Sequence, residues 1–156
     1  MGLWRLQEVL HELGPAFVNE SEPTEPGRRA FLVPAPGDQH TFGAVIVAEF
    51  LRRAGWDVWD DPCASKDEIL RIVRAEWFAV VGISVSCEQN LESLAAVIRA
   101  IRRASRNPSV GIMVGGQPFI DHPERVALVG ADATASDGRQ ATQQAQKLFN
   151  LLAKRA

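Results

Sequence analysis

The sequence predicts a doubly wound α/β domain: five parallel strands with helices on both faces. Three observations lead there. Short apolar runs alternate with longer runs of helical spacing, five times over between Ala30 and Lys154. The third run, AVVGISVS, is apolar enough to be buried on both sides, as parallel strands are. Each parallel connection must also cross over the sheet, nearly always right-handedly, and the intervening helices supply those crossovers. Five strands wound in this way suggest the order 2-1-3-4-5. A chain of 156 residues is too short for the eight units of a barrel.

Each element carries its own signal. Leu3, Leu6, Val9, Leu10 and Leu13 recur at helical spacing, so residues 1–18 are read as an amphipathic helix broken at Gly14-Pro15. Residues 19–28, rich in Glu, Pro and Ser, read as a linker, and residues 29–156 as the α/β domain. Ala30 to Val33 is a buried strand stopped by Pro34-Ala35-Pro36-Gly37. Thr41 to Ala54 is a helix ended by Gly55, and Trp56 to Trp59 is the second strand. Ser65 to Trp77 is a helix, with Ser65 and Glu68 forming a capping-box pattern. Ala79 to Ser86 is the third strand, and Leu91 to Ser105 a helix with Leu91, Leu94, Ile98 and Ile101 along one side. Val110 to Val114, a short helix Glu124 to Val129, Ala131 to Thr134 and a closing helix Gly138 to Lys154 complete the series.

Composition narrows the function. The net charge of -2 gives no footprint for direct nucleic-acid binding. No apolar stretch approaches the ~20 residues of a membrane span. The N-terminal stretch MGLWRLQEVLHELG is partly acidic and lacks a signal core, so a cytoplasmic location is expected. Cys63 and Cys87 have no CxxC spacing and read as reduced thiols.

In an open α/β sheet, ligands bind beyond the carboxyl ends of the strands, where strand order reverses. The loops to inspect therefore follow Val33, Val85 and Val114. The first holds Asp38, His40 and Gly43. A carboxylate two residues from an imidazole can fix its tautomer and present the other nitrogen to a metal. Gly43 leaves room beside the backbone. Ser84 and Ser86 offer hydroxyls, or end the strand by bonding its last amides. Gly115-Gly116 offers bare backbone to a ligand, or makes a tight turn.

The run Asp38-Gln39-His40-Thr41-Phe42-Gly43 resembles in full the D-x-H-x-x-G motif of the cobalamin-binding domain family, whose fold is flavodoxin-like. That family continues with S-x-L after the third strand and G-G after the fourth. Ser84-Val85-Ser86 and Gly115-Gly116 stand there, with Ser86 in place of the leucine. The resemblance covers about residues 29 to 156. It implies that His40 ligates cobalt from below in place of the dimethylbenzimidazole, and that Asp38 orients it. It further implies that Gly43 clears space for the nucleotide tail, Ser84 bonds the benzimidazole and Gly115-Gly116 line the tail's channel. Gln39, Thr41 and Phe42 complete the expected cofactor-binding stretch, with His40 the only expected metal ligand. Ser86 puts a polar group where apolar packing is usual.

The runs RRASRNPSVGIMVGGQPF and GADATASDGRQA resemble the antirepressor group of purple photosynthetic bacteria, which senses light or redox state through cobalamin or haem. This second resemblance implies a sensory module working through a protein partner, such as a transcriptional repressor or a longer helical region. The rival expectations are a corrinoid-carrying subunit of a methyltransferase or mutase, and a haem sensor. No independent catalytic set stands out, so the chain is not expected to be an enzyme by itself. The leading helix can pack over the ligand edge or dock on a partner. Trp56, Trp59 and Trp77 read as packing residues. Arg102, Arg103 and Arg106 read as complements to a helix C-terminus. His11 and His122 receive no role.

Overall fold

The computed structural model describes residues 27–36, 38, 42–61, 65–86 and 91–155, with the backbone alone for Phe42 and residues 153–155. The expected N-terminal helix, most of the linker, and Cys63 and Cys87 lie outside the described residues. Five strands, β1 (Arg29–Pro34), β2 (Asp57–Asp60), β3 (Val80–Ser84), β4 (Gly111–Gly115) and β5 (Ala133–Ala135), form one sheet. Its order is β2-β1-β3-β4-β5, and every pairing is parallel. The crossovers are α1 (Phe42–Arg53), α2 (Lys66–Ala75), α3 (Leu91–Ala104) and two short helices, α4 (Gln117–Asp121) and α5 (Arg125–Leu128). The closing helix α6 spans Gly138–Arg155.

The two faces of the sheet are packed differently. Alternation along a strand sends Phe31, Val81, Ile83, Ile112 and Val114 to one face. There they meet Ile69, Ile72 and Val73 of α2 and Leu94, Val97, Ile98 and Ile101 of α3. Phe31 stacks on Phe78 with ring centroids 5.3 Å apart. The other face carries Ala30, Leu32, Val80 and Met113 under α1 and α6, which present Ala48, Leu51, Ala141 and Ala145. Small residues let these helices sit close. Gly82 belongs to this face, and a side chain there would come within 2.5 Å of Leu32 Cδ1.

Local signals act as the sequence suggests. The Ser65 hydroxyl accepts the Glu68 amide and donates to its carboxylate, both at 3.2 Å, closing the capping box at the start of α2. Gly55 adopts φ +91° after α1. Trp56 is buried edge-on against Phe149, while Trp59 is 41% exposed on the edge strand, edge-on to Phe31 and Phe78. Arg102 does more than complement a helix end. Its guanidinium donates to the Val110 and Gly130 carbonyls and pairs with Asp132 at 3.0 Å, tying α3 to the start of β4 and the approach to β5. His122, at the end of α4, lies 3.4 Å from Glu124.

Most boundaries move by a residue or two from expectation, and three differences bear on the site. The third strand stops at Ser84: the Val85 amide still bonds the Gly115 carbonyl of β4, but the Ser86 amide turns to the Asp38 carboxylate. The segment after Gly116, read as a loop, is helix α4, with Pro118 in its first turn where a missing N–H costs nothing. The fifth strand is Ala133–Ala135.

Gly116 has φ +122° and ψ 169°, a conformation essentially reserved for glycine. A Cβ there would overlap the Val85 carbonyl oxygen. Gly116→Ala is expected to lower the free energy of unfolding by at least about 1–3 kcal/mol, read from urea denaturation. An unchanged midpoint would mean that the β3–β4 junction does not have this close approach.

Candidate functional site

Parallel register brings the three motif ends into one row. Pro34 of β1 stands beside Ser84 of β3, and Ser84 beside Gly115 of β4. Backbone bonds extend the row past the strands. The Ala35 amide donates to the Ser84 carbonyl, and the Val85 amide to the Gly115 carbonyl, each at 2.8 Å. Strand order reverses between β1 and β3, so this row is the switch point of the sheet.

Asp38 sits over that row. Its amide donates to the Ala35 carbonyl at 2.9 Å, the bond of a four-residue turn with Pro36 in second place, where its fixed φ suits the turn. Its carboxylate reaches across to Ser86. Oδ2 accepts the Ser86 amide at 2.7 Å and Oδ1 accepts the Ser86 hydroxyl at 2.6 Å. Both bonds are charge-assisted, the stronger kind. Ser86 replaces a leucine of the motif, and its hydroxyl supplies one of the two bonds that clasp Asp38. The clasp joins the loops after β1 and β3.

The remaining site residues divide. A side chain at Gly43, in the first turn of α1, would come 3.8 Å from Ser84 Cβ, so these two face each other. The Ser84 hydroxyl is buried and has no hydrogen-bond partner among the described residues. It lines a cavity of about 40 Å3 with Gly43, Ala44, Gly82, Gly115 and Ala135. Gly115 is thus at the cavity. Gly116 does not line it, and its conformation answers to the turn at the head of α4. Gln39, His40 and Thr41 lie outside the described residues, as does the side chain of Phe42, whose backbone opens α1. No cluster of three or more metal-ligating side chains occurs among the described residues.

Sequence reasoning passed over Gly82, Ala135 and Ala141, which also border the cavity. The signal for Gly82 was present. A glycine inside an apolar strand marks a close approach or a missing side chain. The two alanines carry no such mark.

Comparison with known proteins identifies the class. The model of the B12 binding domain family matches residues 28–145, and the chain belongs to that family. A relative from Rhodobacter capsulatus, described as an uncharacterized 20.5 kDa protein in the bchF-crtJ intergenic region, is 29% identical over 133 residues. That match spans 85% of this chain and 69% of the relative, and agrees with the purple-bacterial resemblance. Among solved structures, the monomethylamine corrinoid protein of Methanosarcina barkeri superposes with a TM-score of 0.73 at 20% identity over 87% of this chain. A cobalamin-binding protein from Desulfitobacterium hafniense DCB-2 gives 0.70 at 21% identity over 92%. The chain spans 63% and 65% of those two proteins, and at such identities the likeness establishes the fold. Among the described residues, no helix is long and apolar enough to cross a membrane.

The clasp has a local signature. In the wild type the Ser86 amide should resist hydrogen exchange. Asp38→Ala should release it, while the Val85 amide, held by the Gly115 carbonyl, stays protected. Simultaneous loss at both amides, or at neither, would contradict the assignment.

Proposed function

We propose that the chain binds cobalamin base-off, with His40 as the lower axial ligand of cobalt, and works as a regulatory sensor through protein contacts. The observation that carries the binding mode is the Ser84 hydroxyl, buried at the switch point with no partner and lining a cavity of small residues. A buried hydroxyl without a bond costs free energy, and such exceptions in native proteins call for an explanation. A ligand nitrogen or oxygen is the simplest one. Gly43 leaves room on the same line, since a Cβ on it would meet nothing closer than Ser84 Cβ at 3.8 Å, while Leu32 fills the space beside Gly82. The cavity of about 40 Å3 would hold roughly three waters, so a nucleotide tail enters only when α1 and α6 yield. Alanines at that contact make yielding cheap, since few dispersion contacts are lost.

The residues fit the cofactor. Ser84 and Gly115 would hold the tail, and Asp38, fixed by Ser86, would set the tautomer and direction of His40. Bound there, the corrin would supply a cobalt centre able to respond to light or redox state. Two things support the sensory reading over a carrier subunit: the purple-bacterial relative and the resemblance of residues 102–119 to the antirepressor group; the low net charge favours a protein over DNA as the partner. Haem on the same edge and a methyl-carrying corrinoid subunit are the alternatives that the experiments separate.

Reconstitution with hydroxocobalamin, followed by desalting and visible spectroscopy, tests the binding mode. His40→Ala should lose the retained corrinoid. Ser84→Ala should bind about 2- to 10-fold more weakly, with apo stability equal to or above wild type, because the hydroxyl it removes had no bond. Equal retention by wild type and His40→Ala would overturn the ligation, and a Soret band in place of a corrinoid spectrum would turn the reading to haem. For the sensor, calorimetry of a repressor against apo, dark and illuminated holo protein should give different affinities, since equal affinities shift no equilibrium. Equal affinities in all three, or methyl transfer by the chain to a simple acceptor, would favour the carrier.

A further inference from the structure

We propose that the leucine stripe of residues 3–13 docks in a cleft at the amino edge of the sheet, on the last turns of α6, opposite the cofactor edge. The cleft has a volume of about 310 Å3. Pro108 and Val110 form one wall, and Leu148, Leu151 and Leu152 the other, with Arg102 on the rim. Leu151 is 51% exposed, an expensive position for a leucine in the wall of an open groove. Ser109, Gly111 and Asp132 complete a mixed lining in which Arg102 is already engaged with two carbonyls and Asp132, and the leucines of α6 are its apolar part.

The path of the chain favours an occupant from its own N-terminus. The described chain enters at Gly27, where a side chain would lie 3.4 Å from Phe149 Cε2. Phe149 and Leu148 are neighbours on α6. Phe149 meets Trp56, and Leu148 lines the cleft. The entering chain and the cleft therefore flank the same turn of one helix, and a helix is about 10–12 Å across. Residues 14–26 lie between the stripe and Gly27 and reach roughly 40 Å when extended, several times that width. Leu3, Leu6, Val9, Leu10 and Leu13 fall on one side of a helix, with Arg5, Glu8 and Glu12 on the other. A helix this short is marginal alone in water and needs a surface to bury its stripe. The cleft on α6 supplies that surface next to the point of entry.

Hydrogen exchange on the full chain tests the dock, with Leu6→Asp/Leu10→Asp altering the stripe and Leu151→Asp altering the cleft. Leu151 is half exposed, so its substitution leaves the core intact. The expected result is slowed exchange over residues 3–13 in the wild type. Either variant should speed it by about tenfold or more, with β1 and β3 unchanged. Open-chain exchange of residues 3–13 in the wild type would overturn the proposal, as would protection that survives Leu151→Asp. So would light scattering that finds a dimer split by Leu151→Asp, because the occupant would then be a second copy of the chain.

Discussion

Parallel pairing is the constraint on which the rest of the molecule depends. Because β1, β3 and β4 run the same way in matched register, Pro34, Ser84 and Gly115 end side by side. Residues dozens of positions apart in sequence become neighbours with no further device. An antiparallel arrangement of the same strands would scatter them to both edges. The crossover helices follow from the pairing too, since each strand must be regained from the far side of the sheet. Beyond the row, short bonds between loops take over: Ala35 to Ser84, Val85 to Gly115, and Ser86 to Asp38.

The unequal faces divide the labour. Under α2 and α3, large side chains interlock, with Phe31, Phe78, Ile98 and Ile112 essentially sealed from water. That face supplies most of the apolar burial, at roughly 25 cal/mol for each Å2 removed from solvent. Under α1 and α6, Ala48, Ala141, Ala145 and the bare backbone of Gly82 stand among larger side chains such as Leu32, Leu51, Val80 and Met113. A small-residue face gives up little when its helices shift, and it borders the cavity where the Ser84 hydroxyl lies unbonded. Both faces hold a buried core, and the face with the smaller side chains is the one that borders the cavity.

Much of this was legible in the sequence because it is periodic or local. The alternation of apolar strands with helical runs gives the sheet order, and Ser65 with Glu68 marks the start of α2. The loops that meet at the switch point are fixed by the order alone. Other features depend on contacts that no local pattern encodes. Helix α4 is hidden because Gly115-Gly116 reads as a turn into a loop, and the burial of Phe119 in the core is a long-range contact. Gly116 presents the same letters whether or not a carbonyl crowds its α-carbon, and the approach of Val85 is a contact between segments far apart in sequence. Ser86 reads as a loss of apolar packing until Asp38 is found accepting both its bonds. The Arg102 bridge to β4 likewise spans elements far apart in sequence.

The row and the clasp bear together on the proposed ligation. A row fixed by pairing carries Asp38, Asp38 is clasped by Ser86, and His40 stands two residues later in the sequence, where an anchored carboxylate would set its direction. The most direct measurement is electron paramagnetic resonance of the chain loaded with cob(II)alamin, prepared with ordinary and with 15N-labelled histidine. Coupling of the unpaired electron to the axial nitrogen splits each cobalt line. With His40 on cobalt, labelling turns these triplets into doublets, because the ligating nitrogen belongs to a histidine of the chain. Triplets unchanged by the label would mean that the cofactor's own base remains on cobalt, and would contradict the ligation proposed for His40.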